Sequence, residues 1–449
     1  MRMLIAFSVV SLLACARESD VIVGSATITK RLTTTQDLDI LFVIDNSSST
    51  FDKQTLFASN FLRFVQALDS FPTGRPNLHI GVVTTTVDIG TSQFGPACPS
   101  PDVQWNGRLQ VAPQITGCMP PTGRFISDIK DSTGGRTTNY TGQLQDVFSC
   151  ISQVGANGCG FEAPLEAMKR ALDGTNPENA GFMRMDAYLA VVILTDEDDA
   201  SVADPALWTL SPQDTGPADF RSQPLHAYAC DQSISVTEAG TYTGCHVIEH
   251  GYLTNPASYA QFLAGIKDPE LTAVAVIAGD SSSTIATGPI SEPFTQPLAL
   301  LPSCEMTIAG NVAIARPSLR LDDFRAQFDG LERGVFETIC RDDYSDALTQ
   351  IGAKLFEMMS PCLEGNVDPA DTDPQNPGIQ PACTVTEDHA VIPTCKMSTP
   401  TAVNPSSTLP CWYVDANQQC GTASSLEINF DRIVPPAPGV VTDVACARL

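Results

Sequence analysis

The stretch Leu38-Asp39-Ile40-Leu41-Phe42-Val43-Ile44 is almost wholly apolar and gives way abruptly to Asp45-Asn46-Ser47-Ser48-Ser49. An apolar run of this kind suits a strand buried on both faces, as in a parallel sheet with helices on each side. The polar segment puts a carboxylate and two hydroxyls at alternate positions, 45, 47 and 49. Phe57, Phe61, Phe64, Val65 and Leu68 then fall on one face of a helix. In an open α/β sheet such a strand–loop–helix junction lies at the carboxyl end of the strands, where ligands bind.

The same pattern recurs at Tyr188 to Leu194, a second apolar run, which ends in Thr195-Asp196-Glu197-Asp198-Asp199. Further strands are expected at 78–83, 271–278 and 335–339, and helices at 144–154, 162–172, 257–266, 321–328 and 344–359. Strands alternating with helices predict an α/β domain over residues 36–360, built on a doubly wound, mostly parallel sheet. The segments 88–138, 201–255 and 280–317 read as irregular insertions, the first two each holding a cysteine pair. Residues 366–374 form an acidic, Pro-rich linker. Residues 361–449 as a whole read as linker plus a small disulfide-rich β module, with strands at 411–414 and 426–430.

Oxygen donors alone select hard cations, Mg²⁺, Mn²⁺ or Ca²⁺, over zinc or copper. The plainer reading of 45–49 is an Asp/Ser turn whose side chains bond their own backbone. Asp45-Asn46-Ser47-Ser48-Ser49 resembles the Asp-x-Ser-x-Ser metal-ion-dependent adhesion motif of the von Willebrand factor A domain family, whose fold is Rossmann-like. That resemblance implies that Ser47 and Ser49 touch the cation, Mg²⁺ first among candidates, with Asp45 acting directly or through water. Asp196, ending the second run in Thr-Asp, would add an acidic group through water, and a carboxylate from a protein partner would complete the coordination.

The family usually adds a threonine from a Gly-Gly-Thr-like loop. The matching segment, Asn157-Gly158-Cys159-Gly160-Phe161-Glu162, has none. Either Glu162 serves as the oxygen ligand, or Thr137, Thr138 or Thr141 folds in, or the metal site is weakened or lost. Glu162 also reads plainly as a first-turn acid favourable to the helix dipole. Glu197, Asp198 and Asp199 read as a solvated acidic loop, with a second cation site, for Ca²⁺, as the sharper alternative.

Arg2 followed by the apolar stretch Met3 to Leu13 marks residues 1–14 as a signal peptide too short to span a bilayer. Leu12-Leu13-Ala14-Cys15 resembles the lipobox of bacterial lipoproteins, which makes Cys15 the lipid anchor and 15–35 a tether. Ordinary cleavage after Ala14-Cys15-Ala16 competes with it. No acidic residue follows Cys15 directly, which by that resemblance implies retention at the outer membrane. Net charge is −26, which argues against nucleic acid or an anionic membrane surface as partner. Contact with a membrane is therefore expected only through the lipid. Of 15 cysteines, 14 remain beside Cys15, enough for seven disulfides in an oxidising compartment. Close neighbours suggest Cys98 with Cys118, Cys150 with Cys159, Cys230 with Cys245 and Cys411 with Cys420.

Two rivals come from other classes. His246-Val247-Ile248-Glu249-His250 has the H-x-x-E-H spacing of inverted zinc peptidases and would make a zinc-dependent hydrolase, although Cys245, Gly244 and Gly251 leave little room for its helix. The G-x-S-x-G elbow and phosphate-binding glycine loops are absent from the sequence. The other rival is a metal-free structural surface protein. The expectation is a binding protein rather than an enzyme.

Overall fold

The computed structural model describes residues 27–33, 36–71, 74–89, 98, 105–111, 115–131, 133–210, 225–290, 296–363, 367–418, 420, 425–434, 436–437 and 440–447. The leader and the anchor position Cys15 lie outside the described residues.

Strand β1 (Thr27–Thr33) precedes β2 (Asp37–Ile44), helix α1 (Phe51–Asp69) and β3 (Asn77–Thr84). Next come β4 (Ile126–Lys130), β5 (Arg136–Thr138), α2 (Leu144–Ser152), α3 (Pro164–Leu172) and β6 (Tyr188–Leu194). The α/β part ends with α4 (Pro256–Ile266), β7 (Thr272–Ala278), α5 (Leu319–Ala326), β8 (Gly334–Thr338) and α6 (Ser345–Met359). One seven-stranded sheet runs β8-β7-β6-β2-β3-β4-β5. The first five of these pair in parallel, and β4 and β5 close one edge antiparallel. The protein is thus a mixed α/β chain on a mostly parallel sheet.

The period-2 alternation of a strand sends successive side chains of β2 to opposite faces, and from Ile40 to Ile44 both faces are apolar. Leu38, Ile40, Phe42 and Ile44 pack with Phe57, Phe61 and Phe64 of α1, Phe148 of α2 and Leu348, Ile351 and Leu355 of α6. Leu41 and Val43 face the other way, onto Leu165 and Met168 of α3, Leu263 of α4 and Phe324 of α5. Phe42 meets the rings of Phe57, Phe61 and Phe64 edge-on at 5.8–6.1 Å. Each such phenylalanine contributes about 1.5–3 kcal/mol by burial.

From β2 the chain moves outward through β3, then returns to lay β6 on the other side of β2 and continues outward through β7 and β8. The winding direction reverses between β2 and β6. In open α/β sheets ligands bind at such a switch point, outside the carboxyl ends of the two strands.

The structure corrects the expected tether. Thr27–Thr33 is a strand, antiparallel to β13 (Val441–Ala447), in a four-stranded sheet with β9 (Cys383–Glu387) and β10 (Ala390–Ile392). Strands β11 (Cys411–Ala416) and β12 (Leu426–Asp431) pair beside it, and Leu32, Val385, Trp412, Val414, Ile428 and Val444 share one small core. The chain's first described strand is therefore part of its C-terminal module. Arg31 joins the two parts, pairing with Asp443 at 2.6 Å and also with Asp268, while Lys30 Nζ donates to the Glu357 carbonyl of α6 at 2.9 Å. The linker is also tied down: Asp368 N donates to Ala447 O and Thr372 N to Gln380 O. The insertions hold short strands, among them the hairpin Cys304–Ile308 with Asn311–Ala315.

Seven disulfides join Cys98–Cys159, Cys118–Cys150, Cys230–Cys245, Cys304–Cys340, Cys362–Cys420, Cys383–Cys446 and Cys395–Cys411. Of the neighbour pairs, 230–245 is present and the other three are not. Cys98 and Cys159 belong to the core on one face of the sheet, whereas Cys118 and Cys150 belong to the core on the other. The sheet separates the expected partners. Cys411 opens β11, while Cys420 lies beyond its far end, roughly 16 Å along an extended chain.

Candidate functional site

Asp45 and Thr195 follow directly on neighbouring parallel strands that are in register at Ile44 and Leu194, and Asp45 N donates to Leu194 O at 2.9 Å. The sequence had to place them together, because both apolar runs end at the same level. After β2 the backbone tightens into a turn: Ser47 N–H donates to Asp45 Oδ1 at 2.8 Å. Thr50 Oγ1 donates to the carbonyls of Asp45 and Ser47, both at 2.9 Å. Gln54 Nε2 ties the Asp45 carbonyl (2.6 Å) to that of Gly155 (2.7 Å). These bonds fit the Asp/Ser-turn reading, and they also aim the hydroxyls of Ser47 and Ser49 to one side.

Ser47 Oγ and Ser49 Oγ lie 3.2 Å apart, and Ser49 Oγ donates to Asp196 Oδ1 at 3.1 Å. Thr195 Oγ1 donates to Asp45 Oδ2 at 2.7 Å. Asp45, Ser47 and Asp196 are buried, Ser49 is partly buried and Ser48 is exposed. Burial above all, then the charge of Asp196, pushes the Asp45 carboxyl up to about 7. The two carboxylates that two separate apolar runs suggested are thus electrostatic neighbours.

Glu162 is buried beside them. Burial first, then the charges of Glu197, Asp45 and Asp196, hold its carboxyl well above the usual carboxylate range. It precedes α3 rather than lying in its first turn, and its carbonyl accepts from Ala200 N at 2.7 Å. Thr137, Thr138 and Thr141 are exposed, the first two on the edge strand β5. The hydroxyls that reach Asp45 are instead those of Thr195 and, at 3.4 Å, Thr85. Gly158 packs against the motif so closely that its N–H donates to the Asn46 carbonyl at 2.6 Å.

Sequence reasoning missed Lys53. Its side chain is 1% exposed, and Nζ donates to Asp196 Oδ2 at 2.5 Å and to the Ser49 carbonyl at 3.0 Å. The one available signal was its position eight residues after Asp45, in the first turn of α1.

The acidic run after β6 is not a solvated loop. Asp198 and Asp199 are fully buried. Asp198 accepts from the backbone N–H groups of Arg320 (2.8 Å) and Leu321 (3.0 Å) at the start of α5, and from Tyr228 Oη (2.6 Å). Asp199 accepts from Leu165 N–H at the start of α3 (3.2 Å) and from the buried Arg320 guanidinium (3.1 Å). They cap two helices, which satisfies orphan donors and the positive helix ends. Glu197 pairs with Arg316 at 3.0 Å. The zinc spacing fares no better: His246 and Val247 form a two-residue strand, His246, Glu249 and His250 are exposed, and the helix that spacing requires is absent.

Among the described residues, no group of three or more His, Cys, Asp or Glu side chains is arranged to hold a metal ion. The candidate donors here are two carboxylates and two serine hydroxyls. Among the described residues no helix is long and apolar enough to cross a membrane. No family model matches the chain, and no curated protein matches it. A comparison with solved structures finds, among others, the human COPII-coat protein Sec24c at 9% identity and a TM-score of 0.31. The match takes in 94% of this chain but 42% of that one, and at this score it carries no argument.

Proposed function

We propose that this chain is an exported, lipid-anchored envelope protein whose α/β part is a von Willebrand factor A-like domain. It binds a protein partner through a divalent cation held by Asp45, Ser47, Ser49 and Asp196. One observation carries the reading: two neighbouring strand tips bring carboxylates against a pair of serine hydroxyls at the switch point of the sheet. The oxygen spacings of 3.2 and 3.1 Å are close to the roughly 3.0 Å between adjacent ligands of an octahedral Mg²⁺ at about 2.1 Å. All four are hard donors, the kind that Mg²⁺ or Mn²⁺ prefers. Glu162 is the fifth candidate, near enough to feel the charge of both aspartates.

When bound, the cation would offer an open position to a carboxylate of the partner. The chain's own residues hold the donors still: Thr195 and the Ser47 N–H orient Asp45, and Thr50 and Gln54 fix the turn. A metal-free scaffold is the second reading. It is favoured by the Lys53–Asp196 ion pair, which satisfies Asp196 without any metal. Capture of envelope proteins by the purified chain separates the two. Capture that needs Mg²⁺ and is lost both in chelator and in Asp45→Ala supports adhesion. Equal capture in chelator and by Asp45→Ala overturns it.

A further inference from the structure

Lys53 is an odd residue to find at a cation site. A buried ammonium needs a compensating charge, and Lys53 finds it in Asp196. Two of its three donors are engaged, by Asp196 Oδ2 and by the Ser49 carbonyl. The Asp196 carboxylate is thereby divided: Oδ2 is held by lysine, while Oδ1 faces the serine hydroxyls through Ser49 Oγ. Lys53 is rooted in the first turn of α1, whose Phe57, Phe61 and Phe64 are locked into the core, so the ammonium cannot leave the neighbourhood. Arg316, the other cation on this rim, is turned to Glu197.

We propose that Lys53 is a tethered cation: it satisfies Asp196 when no divalent ion is bound, and it lowers the affinity of the Asp45–Ser47–Ser49–Asp196 site for one. This inference rests on the metal reading above. The charge argument is direct. Asp45 and Asp196 flank the hydroxyl pair and Glu162 interacts with both, and the fixed ammonium cancels one negative charge and repels an incoming cation. The number of ligand charges tunes divalent-ion affinity over decades, down to the roughly millimolar range of extracellular modules. The result is a site that is stable when empty and filled only where divalent cation is plentiful.

Mn²⁺ binding, followed by electron paramagnetic resonance on the whole chain, tests this in wild type, Lys53→Met, Lys53→Gln and Asp45→Asn. The expected result is Mn²⁺ held at least tenfold more tightly by Lys53→Met than by wild type, with that binding lost when Asp45→Asn is added. Without cation, the same variant melts lower than wild type, and Mn²⁺ restores it. Lys53→Gln, which keeps most of the side chain's length, gives the same ordering and serves if Lys53→Met fails to fold. Wild-type binding that Asp45→Asn abolishes but that both Lys53 variants leave unchanged or weaken overturns the role of Lys53 and leaves the metal site standing. Absence of Asp45-dependent Mn²⁺ binding in wild type and in both Lys53 variants overturns the metal site itself.

Discussion

Asp45→Asn keeps the shape of the side chain and removes its charge, so it isolates what that charge does to folding. The carboxylate is buried, and burial together with Asp196 lifts it from 3.8 to about 7. A carboxyl raised on folding binds its proton more tightly in the native state. Its stabilising effect is therefore complete below pH 3.8 and is lost as the pH climbs to about 7. At roughly 1.4 kcal/mol per pH unit, that gap makes the ionised group cost on the order of 4 kcal/mol at pH 8. The amide oxygen cannot fully replace both carboxylate oxygens toward Ser47 N–H and Thr195 Oγ1, an offset of about 1–2 kcal/mol. In chelator at pH 8, Asp45→Asn should be about 2–3 kcal/mol more stable than wild type by urea unfolding. Near pH 4 the gain disappears and the variant is the weaker by about 1 kcal/mol. At pH 8, millimolar Mg²⁺ raises the stability of wild type and leaves the variant unmoved. A variant less stable than wild type at pH 8, or a difference that does not change with pH, refutes the reasoning.

Gly158→Ala places a Cβ 2.3 Å from Asn46 Oδ1 and 2.6 Å from Thr86 Oγ1, so it should lose about 1–3 kcal/mol in urea melts and weaken Mn²⁺ binding. Asp199→Ala leaves the Arg320 guanidinium, fully buried, without its carboxylate, and a loss of about 3–5 kcal/mol by the same melts is expected. Removing residues through Thr33 strips β1 from β13 and cuts the Arg31 bridge; limited proteolysis should then cleave within 375–449 faster while the α/β part resists. His246→Ala with His250→Ala should alter neither stability nor Mn²⁺ binding, since both imidazoles are exposed and lie outside the site.

What could be read from the sequence was what local pattern dictates. β2 and β6 had to be apolar on both faces because each packs against helices above and below, and their carboxyl ends had to carry the polar loops. Asp45, Ser47 and Ser49 sit in one unbroken stretch, so their convergence needed no tertiary knowledge. Lys53 did not stand out: a lysine in the first turn of a helix usually lies in water, and its burial is decided by Asp196, just past the end of β6 and 143 residues further on. The same holds for the cysteines, which pair according to the face of the sheet they occupy, a property that sequence spacing does not encode. β1 reads as part of a polar tether because its partner strand lies at the far end of the chain.

The run Asp196-Glu197-Asp198-Asp199 shows how an acidic chain can keep carboxylates in its interior. Four neighbours leave the tip of β6 in different directions: Asp196 to Lys53, Glu197 to Arg316, Asp198 to the start of α5, Asp199 to Arg320 and the start of α3. Each is compensated by a cation or by helix N–H groups, as burial in a low-dielectric interior demands. Asp45 differs: among the described hydrogen bonds its carboxylate receives only neutral donors, the Ser47 N–H and the hydroxyls of Thr195 and Thr85. Its elevated affinity for a proton is the sign of that imbalance, and a divalent cation would compete with the proton for the same charge. With Asp196 already shared with Lys53, the charge in this cluster left for a divalent ion is that of Asp45 and Glu162, so the Asp45 and Lys53 variants should move Mn²⁺ affinity in opposite directions.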